Sequence, residues 1–224
     1  MSNCSTDAAP DFTGYRRWTL PKPAKLAILI SGQGSNMEAL VEALDADLAQ
    51  VTVVVSDRPG AAGLTWAANR QIPTDVVAVK DFADRDQWDQ HLAQVLEQAK
   101  ADLVVSAGFL KILGPRVLEA FPGRIINTHN SLLPSFAGID GPTQALAAGV
   151  KLAGATVFLV DAGMDTGAIL TQCAVPVKPG DDEASLLERI KVAERAQLVQ
   201  TVRTMVEDGW YTRGQIAHLA NALD

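Results

Sequence analysis

Five short apolar runs, at positions 26–30, 51–55, 75–79, 103–106 and 124–127, alternate with helix-like stretches at 36–44, 61–70, 85–100 and 114–120. This alternation predicts parallel βαβ units, with helices covering both faces of one sheet. The runs are apolar at nearly every position rather than at every second one, as strands buried on both sides require. Beyond residue 150 the pattern changes. Extended segments at 155–160 and 168–177 flank the glycine-containing stretch 161–167, which predicts a β-loop-β unit added to the same sheet. An amphipathic helix over 183–207 follows, with Leu186, Leu187, Ile190, Val199 and Val202 toward the core. The expected fold is α/β: an open, mostly parallel twisted sheet with helices on both faces and a C-terminal antiparallel extension. Residues 1–24 are polar and interrupted by Pro10, Pro21 and Pro23, and read as a flexible extension docked in part through Tyr15 and Trp18. Residues 25–224 read as a single domain.

Composition narrows the function. Of 224 residues, 48% are hydrophobic and 20% charged, so a core can form without a metal or disulfide. A net charge of −7 argues against a protein that grips nucleic acid, which needs a dominant basic face, but leaves room for a local basic pocket. Cys4 and Cys173 lie far apart and outside any CxxC pair, which fits a reducing, cytoplasmic setting. No apolar stretch is long enough to cross a bilayer, and the polar start lacks the apolar centre of a signal peptide.

The first run leads into Ser31-Gly32-Gln33-Gly34-Ser35-Asn36, and a helix follows at once. A loop at a helix N-terminus presents free N–H groups and the positive end of the helix dipole, a ready anion site. A plain tight turn is the alternative. A dinucleotide reading would use Gly32, Gly34 and an acid after the second strand, Asp57, but Met37 stands where the third glycine belongs. Gly34, Ser35 and Asn36 suit one small phosphate better than a pyrophosphate.

Among three histidines, His91 and His218 read as surface or packing residues. His129 stands at the end of the fifth parallel strand, where ligand sites in open α/β sheets collect. Residues two apart on a strand point to one side, so Asn127 and His129 aim into one crevice if the strand reaches that far. A histidine capping a turn, with a hydrogen-bonded Asn beneath it, fits the same residues.

Asn127-Thr128-His129-Asn130-Ser131-Leu132-Leu133-Pro134 resembles the NxHxSLLP signature of the folate-dependent formyltransferase superfamily. Gly154 to Val157, followed by Val160 to Gly167, resembles its second signature, and the 31–36 loop resembles the phosphate loop of its glycinamide ribonucleotide branch. The resemblance runs from about residue 25 to 203. It implies a Rossmann-like fold and transfer of a formyl group from 10-formyltetrahydrofolate, as co-substrate, to the amine of glycinamide ribonucleotide in purine synthesis, with no metal. It implies Asn127, His129 and Asp165 as the catalytic three. Gly34, Ser35 and Asn36 would hold the substrate phosphate, with Lys191 and Glu194 holding the ribotide. Arg85 and the segment Leu110-Lys111-Ile112-Leu113 would line the folate site, together with Asn127 and the backbone from Asp161 to Asp165. The partners implied are small molecules, with no nucleic acid and no membrane, acting on a monomer or homodimer.

In such a site the Asn127 amide and a protonated His129 would donate to the oxyanion formed during transfer, where one donor is commonly worth about 10²–10³ in rate. Asp165 would favour the charged imidazole and pass a proton from the attacking amine toward N10. The chain departs from the family pattern at Asn130, where proline is usual, at Asp140, which brings an anion close to the expected site, and at Phe158, where a histidine is common. Three other readings stay open: transfer to a different amino sugar or ribotide, a ligand-binding descendant without catalysis, and a dinucleotide-dependent oxidoreductase.

Overall fold

The computed structural model describes residues 13–220. Its centre is a strand that alternates between two cores. In β2 (Ala24–Ile30), Leu26, Ile28 and Ile30 enter the core on one face of the sheet, and Ala27 and Leu29 the core on the other. Both sets are fully buried, so the strand is apolar throughout from Leu26 to Ile30.

The neighbours of β2 are β3 (Ala49–Ser56) and β5 (Leu103–Ser106), both parallel to it. Outside β3 lies β4 (Thr74–Val76), and outside β5 lies β6 (Ile125–His129), again parallel. On the far side of β6 the sheet turns antiparallel through β7 (Leu152–Leu159) and β8 (Ile169–Pro176). The remaining strands are β1 (Arg16–Trp18), β9 (Trp210–Arg213) and β10 (Ile216–Leu219). They give a ten-stranded sheet in the order β1-β9-β10-β8-β7-β6-β5-β2-β3-β4.

On one face, Met37 and Leu40 of α1 (Ser35–Ala43), Leu64 and Ala67 of α2 (Ala62–Asn69) and Leu198, Val202 and Met205 of α6 (Glu183–Glu207) share a core. On the other, Trp88, Leu92 and Leu96 of α3 (Arg85–Gln98) pack with Val117 of α4 (Pro115–Ala120). Two acids set where these helices begin. Asp84 accepts the Gln87 N–H ahead of α3, and Asp182 forms a capping box with Ser185 ahead of α6. Asp181 adds a clamp on Arg189, whose guanidinium holds the Asp181 carboxyl well below the usual carboxylate range. A third acid does its capping from a distance: buried Asp89 of α3 accepts from the backbone N–H groups of Gly114 and Arg116, both at 2.7 Å, and so starts α4.

The parallel strands, the helices and the antiparallel extension match the fold expected. Three features differ. The run at 75–79 divides into the short strand β4 and a 3₁₀ turn, Val79–Asp81. A short helix, α5 (Gly141–Ala147), follows the SLLP segment, opened by Pro142 in its first turn. The second half of the expected extension is part of the sheet: β1 pairs with β9, and Trp18 stacks on buried Trp210 with ring centroids 6.0 Å apart. Positions 1–12 of that extension lie outside the described residues.

Candidate active site

Side-chain alternation on β6 builds the site. The Thr128 hydroxyl donates to Glu194 of α6, so Thr128 faces the α1/α6 side. Asn127 and His129, on either side of it, therefore face the other way, both half-buried. The strand runs through His129, which gives the geometry that the shared crevice requires.

The loop between β7 and β8 brings the partner. It closes where the Leu159 N–H donates to the Ala168 carbonyl at 2.9 Å. Gly167 makes this closure possible, because a Cβ there would stand 1.6 Å from the Leu159 carbonyl oxygen. Inside the loop, Asp161 Oδ1 accepts from the Gly163 N–H at 3.0 Å and the Thr166 hydroxyl at 2.6 Å. That side chain is spent on shaping its own loop. Asp165 tops it in the left-handed region, φ +57°, a conformation that Asp adopts more readily than most residues. Its Oδ2 lies 3.7 Å from His129 Nδ1 and accepts the Gly138 N–H at 2.9 Å. The other ring nitrogen of His129, Nε2, lies 3.0 Å from the Phe136 carbonyl oxygen. A carbonyl only accepts, so this bond puts a hydrogen on Nε2 and leaves Nδ1 to meet Asp165.

The SLLP segment, which leads into Phe136 and Gly138, is held around one buried hydroxyl. Thr156 Oγ1 donates to the Ser131 carbonyl at 2.7 Å, and accepts from the Leu133 N–H and Gln172 Nε2, each at 3.0 Å. Gln172 also donates to the Leu133 carbonyl at 2.7 Å.

Gly34 caps α1 with φ +82° and has no side chain to offer the first turn. A Cβ there would stand 3.0 Å from Met37 Cε and 3.1 Å from Gly63 Cα, so glycine is required for both conformation and packing. The first turn, from Ser35, thus opens without a side-chain cap, as an anion site needs. Asn36 is buried.

Glu194 is 4% exposed. Burial pushes its carboxyl upward, opposed by hydrogen bonds from Thr128 and Asn36 and by nearby His129. With its amide turned to donate, Asn130 lies 3.0 and 3.1 Å from the two Glu194 oxygens. Lys191, expected beside Glu194, is paired instead with Glu188 at 2.8 Å on the helix surface.

The segment after β5 is tied at both ends. The Leu110 N–H donates to Ser31 Oγ at 2.9 Å, and the Gly114 N–H to Asp89. Arg85 reaches across to the Ile112 carbonyl while its guanidinium lies 4.1 Å above the Trp88 ring. Leu110 and Ile112 stay exposed, at 57% and 56%, and Leu113 is buried. Lys111 turns toward buried Asp57, 3.4 Å away. Of the departures from the family pattern, Phe158 is a buried register partner of Asn127, and Asp140 is exposed at the start of α5.

The Formyl transferase family profile matches residues 24–202. The chain belongs to the formyl transferase family. It is 47% identical over 196 residues to the phosphoribosylglycinamide formyltransferase of Mycobacterium tuberculosis, covering 87% of this chain and 91% of that protein. It is also 46% identical over 175 residues to the trifunctional purine biosynthetic protein adenosine-3 of Drosophila melanogaster, matching 76% of this chain and 13% of that longer protein. Among solved structures, glycinamide ribonucleotide transformylase 1 from Symbiobacterium toebii superimposes with a TM-score of 0.85 at 36% identity, covering 88% of this chain and 93% of that one. Phosphoribosylglycinamide formyltransferase from Brucella melitensis gives 0.77 at 40% identity, over 81% and 95% of the two chains.

In this formyltransferase the parts that sequence reasoning missed are the supports. Thr156, Gln172 and Ser131 hold the SLLP segment, and Asn130 and Thr128 hold Glu194. The signal for Thr156 was its place in the second signature, opposite His129 in strand register. Among the described residues no helix is long and apolar enough to cross a membrane.

Proposed function

We propose that this formyltransferase moves a formyl group from N10 of 10-formyltetrahydrofolate to the primary amine of glycinamide ribonucleotide, a cytoplasmic step of purine biosynthesis. The observation that carries the reading is the approach of Asp165 to His129 in the crevice at the strand ends, on the same edge of the sheet as the uncapped start of α1.

The residues fit both substrates. A single phosphate matches the N–H groups of Gly34, Ser35 and Asn36, with the helix dipole behind them. Buried Glu194 is the acid for the ribotide half of the cleft, and Lys191 would join it only by leaving Glu188 on the helix surface. Exposed Leu110 and Ile112, with Met164 at 57% exposure, offer an apolar surface for a flat heterocycle, and Arg85 and Lys111 offer cations for its carboxylates. Leu113 supports that wall from below, and the Asp161 to Asp165 backbone supplies polar edges.

The folate supplies an activated formyl carbon. The Asn127 amide and the His129 imidazole donate to the formyl oxygen as it gains negative charge, the stabilisation worth about 10²–10³ per donor. Asp165 receives a proton from the attacking amine, directly or through the ring, and returns it toward the departing nitrogen. Its own position is fixed by the Gly138 N–H, so little reorganisation accompanies the step. Holding amine and formyl carbon together contributes up to roughly 7–11 kcal/mol more.

The test is to follow folate absorbance with 10-formyltetrahydrofolate and glycinamide ribonucleotide. Turnover that needs both substrates and is lost in His129→Ala and Asp165→Asn supports the reading. Folate release without an amine acceptor would make the protein a hydrolase instead.

A further inference from the structure

Asn130 follows His129 directly, at the position where the formyltransferase pattern has proline. Proline would bring no donor; asparagine brings an amide that reaches both oxygens of Glu194, at 3.0 and 3.1 Å. Glu194 is anchored at the same time by the Thr128 hydroxyl from β6, and its carboxyl lies close enough to Asn36, in the first turn of α1, for that side chain to favour its charged form. One buried carboxylate on α6 therefore joins the start of α1, which carries the phosphate cradle, to the end of β6, which carries His129. We propose that Asn130 is a positioning residue that locks Glu194 between α1 and β6, and so fixes the spacing between the phosphate cradle and the His129 centre. The proposal rests on the formyltransferase reading given above.

The consequence differs for the two substrates. The ribotide must reach the cradle with its phosphate and His129 with its amine, so its affinity depends on that spacing. The formyl folate meets only the second place. Loss of the lock therefore appears in the KM for the ribotide and not in that for the folate. A merely structural role would lower stability and disturb both substrates together.

The charged and titratable groups around Glu194 are His129 at the end of β6, Arg195 on its own helix and the Cys173 thiol on β8. Placing a second carboxylate at position 130 sets like charges side by side in a buried site, a repulsion that a single shared proton removes.

The experiment measures both KM values and kcat for wild type, Asn130→Leu and Asn130→Asp, at about pH 6 and about pH 8, either side of imidazole titration. Both variants should raise the ribotide KM by about ten-fold or more, the scale of a lost hydrogen bond to a charged group, with kcat and the folate KM within about threefold. In Asn130→Asp the ribotide penalty should shrink at the lower pH. If Asn130→Leu fails to fold, Asn130→Asp carries the test alone. An unchanged ribotide KM, or equal losses for both substrates, overturns the proposal while leaving the reaction intact. No wild-type turnover with the ribotide overturns the parent reading, and this proposal with it.

Discussion

Asp165 Oδ2 stands 3.7 Å from His129 Nδ1, with the Gly138 N–H holding the same oxygen from the other side at 2.9 Å. An Asn in place of Asp165 keeps an acceptor for Gly138 but loses the charge and the proton site. Asp165→Asn should thus lower kcat by about 10²–10⁴, the range for a lost general acid–base group. Its melting temperature should stay near that of wild type. A variant with full kcat in a stopped or continuous absorbance assay would remove Asp165 from the chemistry.

Gly34 combines positive φ with close contacts to Met37 and Gly63. Gly34→Ala forces the cradle at α1 to shift, because a left-handed alanine costs about 1–2 kcal/mol before any clash. The expected result is a ribotide KM raised about ten-fold or more with little change in the folate KM. Initial rates against each substrate check it.

Thr156 is fully buried and makes three hydrogen bonds that hold the SLLP segment. Thr156→Val keeps the shape but leaves the Leu133 N–H and the Ser131 carbonyl without that partner. Urea unfolding should show a loss of roughly 1–3 kcal/mol. Activity should fall as well, since this segment leads into the contacts of both His129 and Asp165.

Asp89 starts α4 from within α3. Asp89→Ala strips that cap and should cost about 2–3 kcal/mol, above a typical surface cap because the bonds run to a buried, charged acceptor. It also frees one end of the segment carrying Leu110 and Ile112, so the folate KM should rise while the ribotide KM holds. Denaturation midpoints and the two KM values read both effects.

Glu194 has its carboxyl pushed up by burial from the ordinary value of 4.5. Between that value and the folded one, the native chain keeps a proton that the unfolded chain has released. The contribution of Glu194 to stability is therefore present at low pH and declines as pH rises through this window. Glu194→Gln does not titrate, so its stability should fall less steeply with pH than that of wild type. Parallel urea-midpoint curves for the two proteins across the acid-to-neutral range would contradict this.

The parallel half of the sheet is legible in the sequence because double-sided burial keeps its central strands apolar over most of their length. Leu103–Ser106 and Glu183–Glu207 stand where the pattern puts them, the second because Asp182 marks its start. The strands β1, β9 and β10 carry arginines and a histidine at half-exposed positions and are three or four residues long; β1 pairs with β9 across almost the whole chain, and the β9–β10 hairpin is too short for a period to announce it. In the site, strand alternation is enough to put Asn127 and His129 on one side. No periodicity brings Asp165 to His129; that expectation came from the shared signature. Thr156 and Asn130 escape because a neutral polar side chain reads alike whether it faces solvent or supports a buried neighbour.

The imidazole of His129 does not wait with an idle nitrogen, since the Phe136 carbonyl already takes its Nε2–H. Phe136 itself is held at φ +57°, an awkward backbone state for an aromatic residue. An arriving formyl oxygen that draws on this N–H must evict one carbonyl to replace it with another. Catalysis at that contact is governed by the difference between two acceptors, and the loop that loses its hold on the ring is released from the bond that kept it bent.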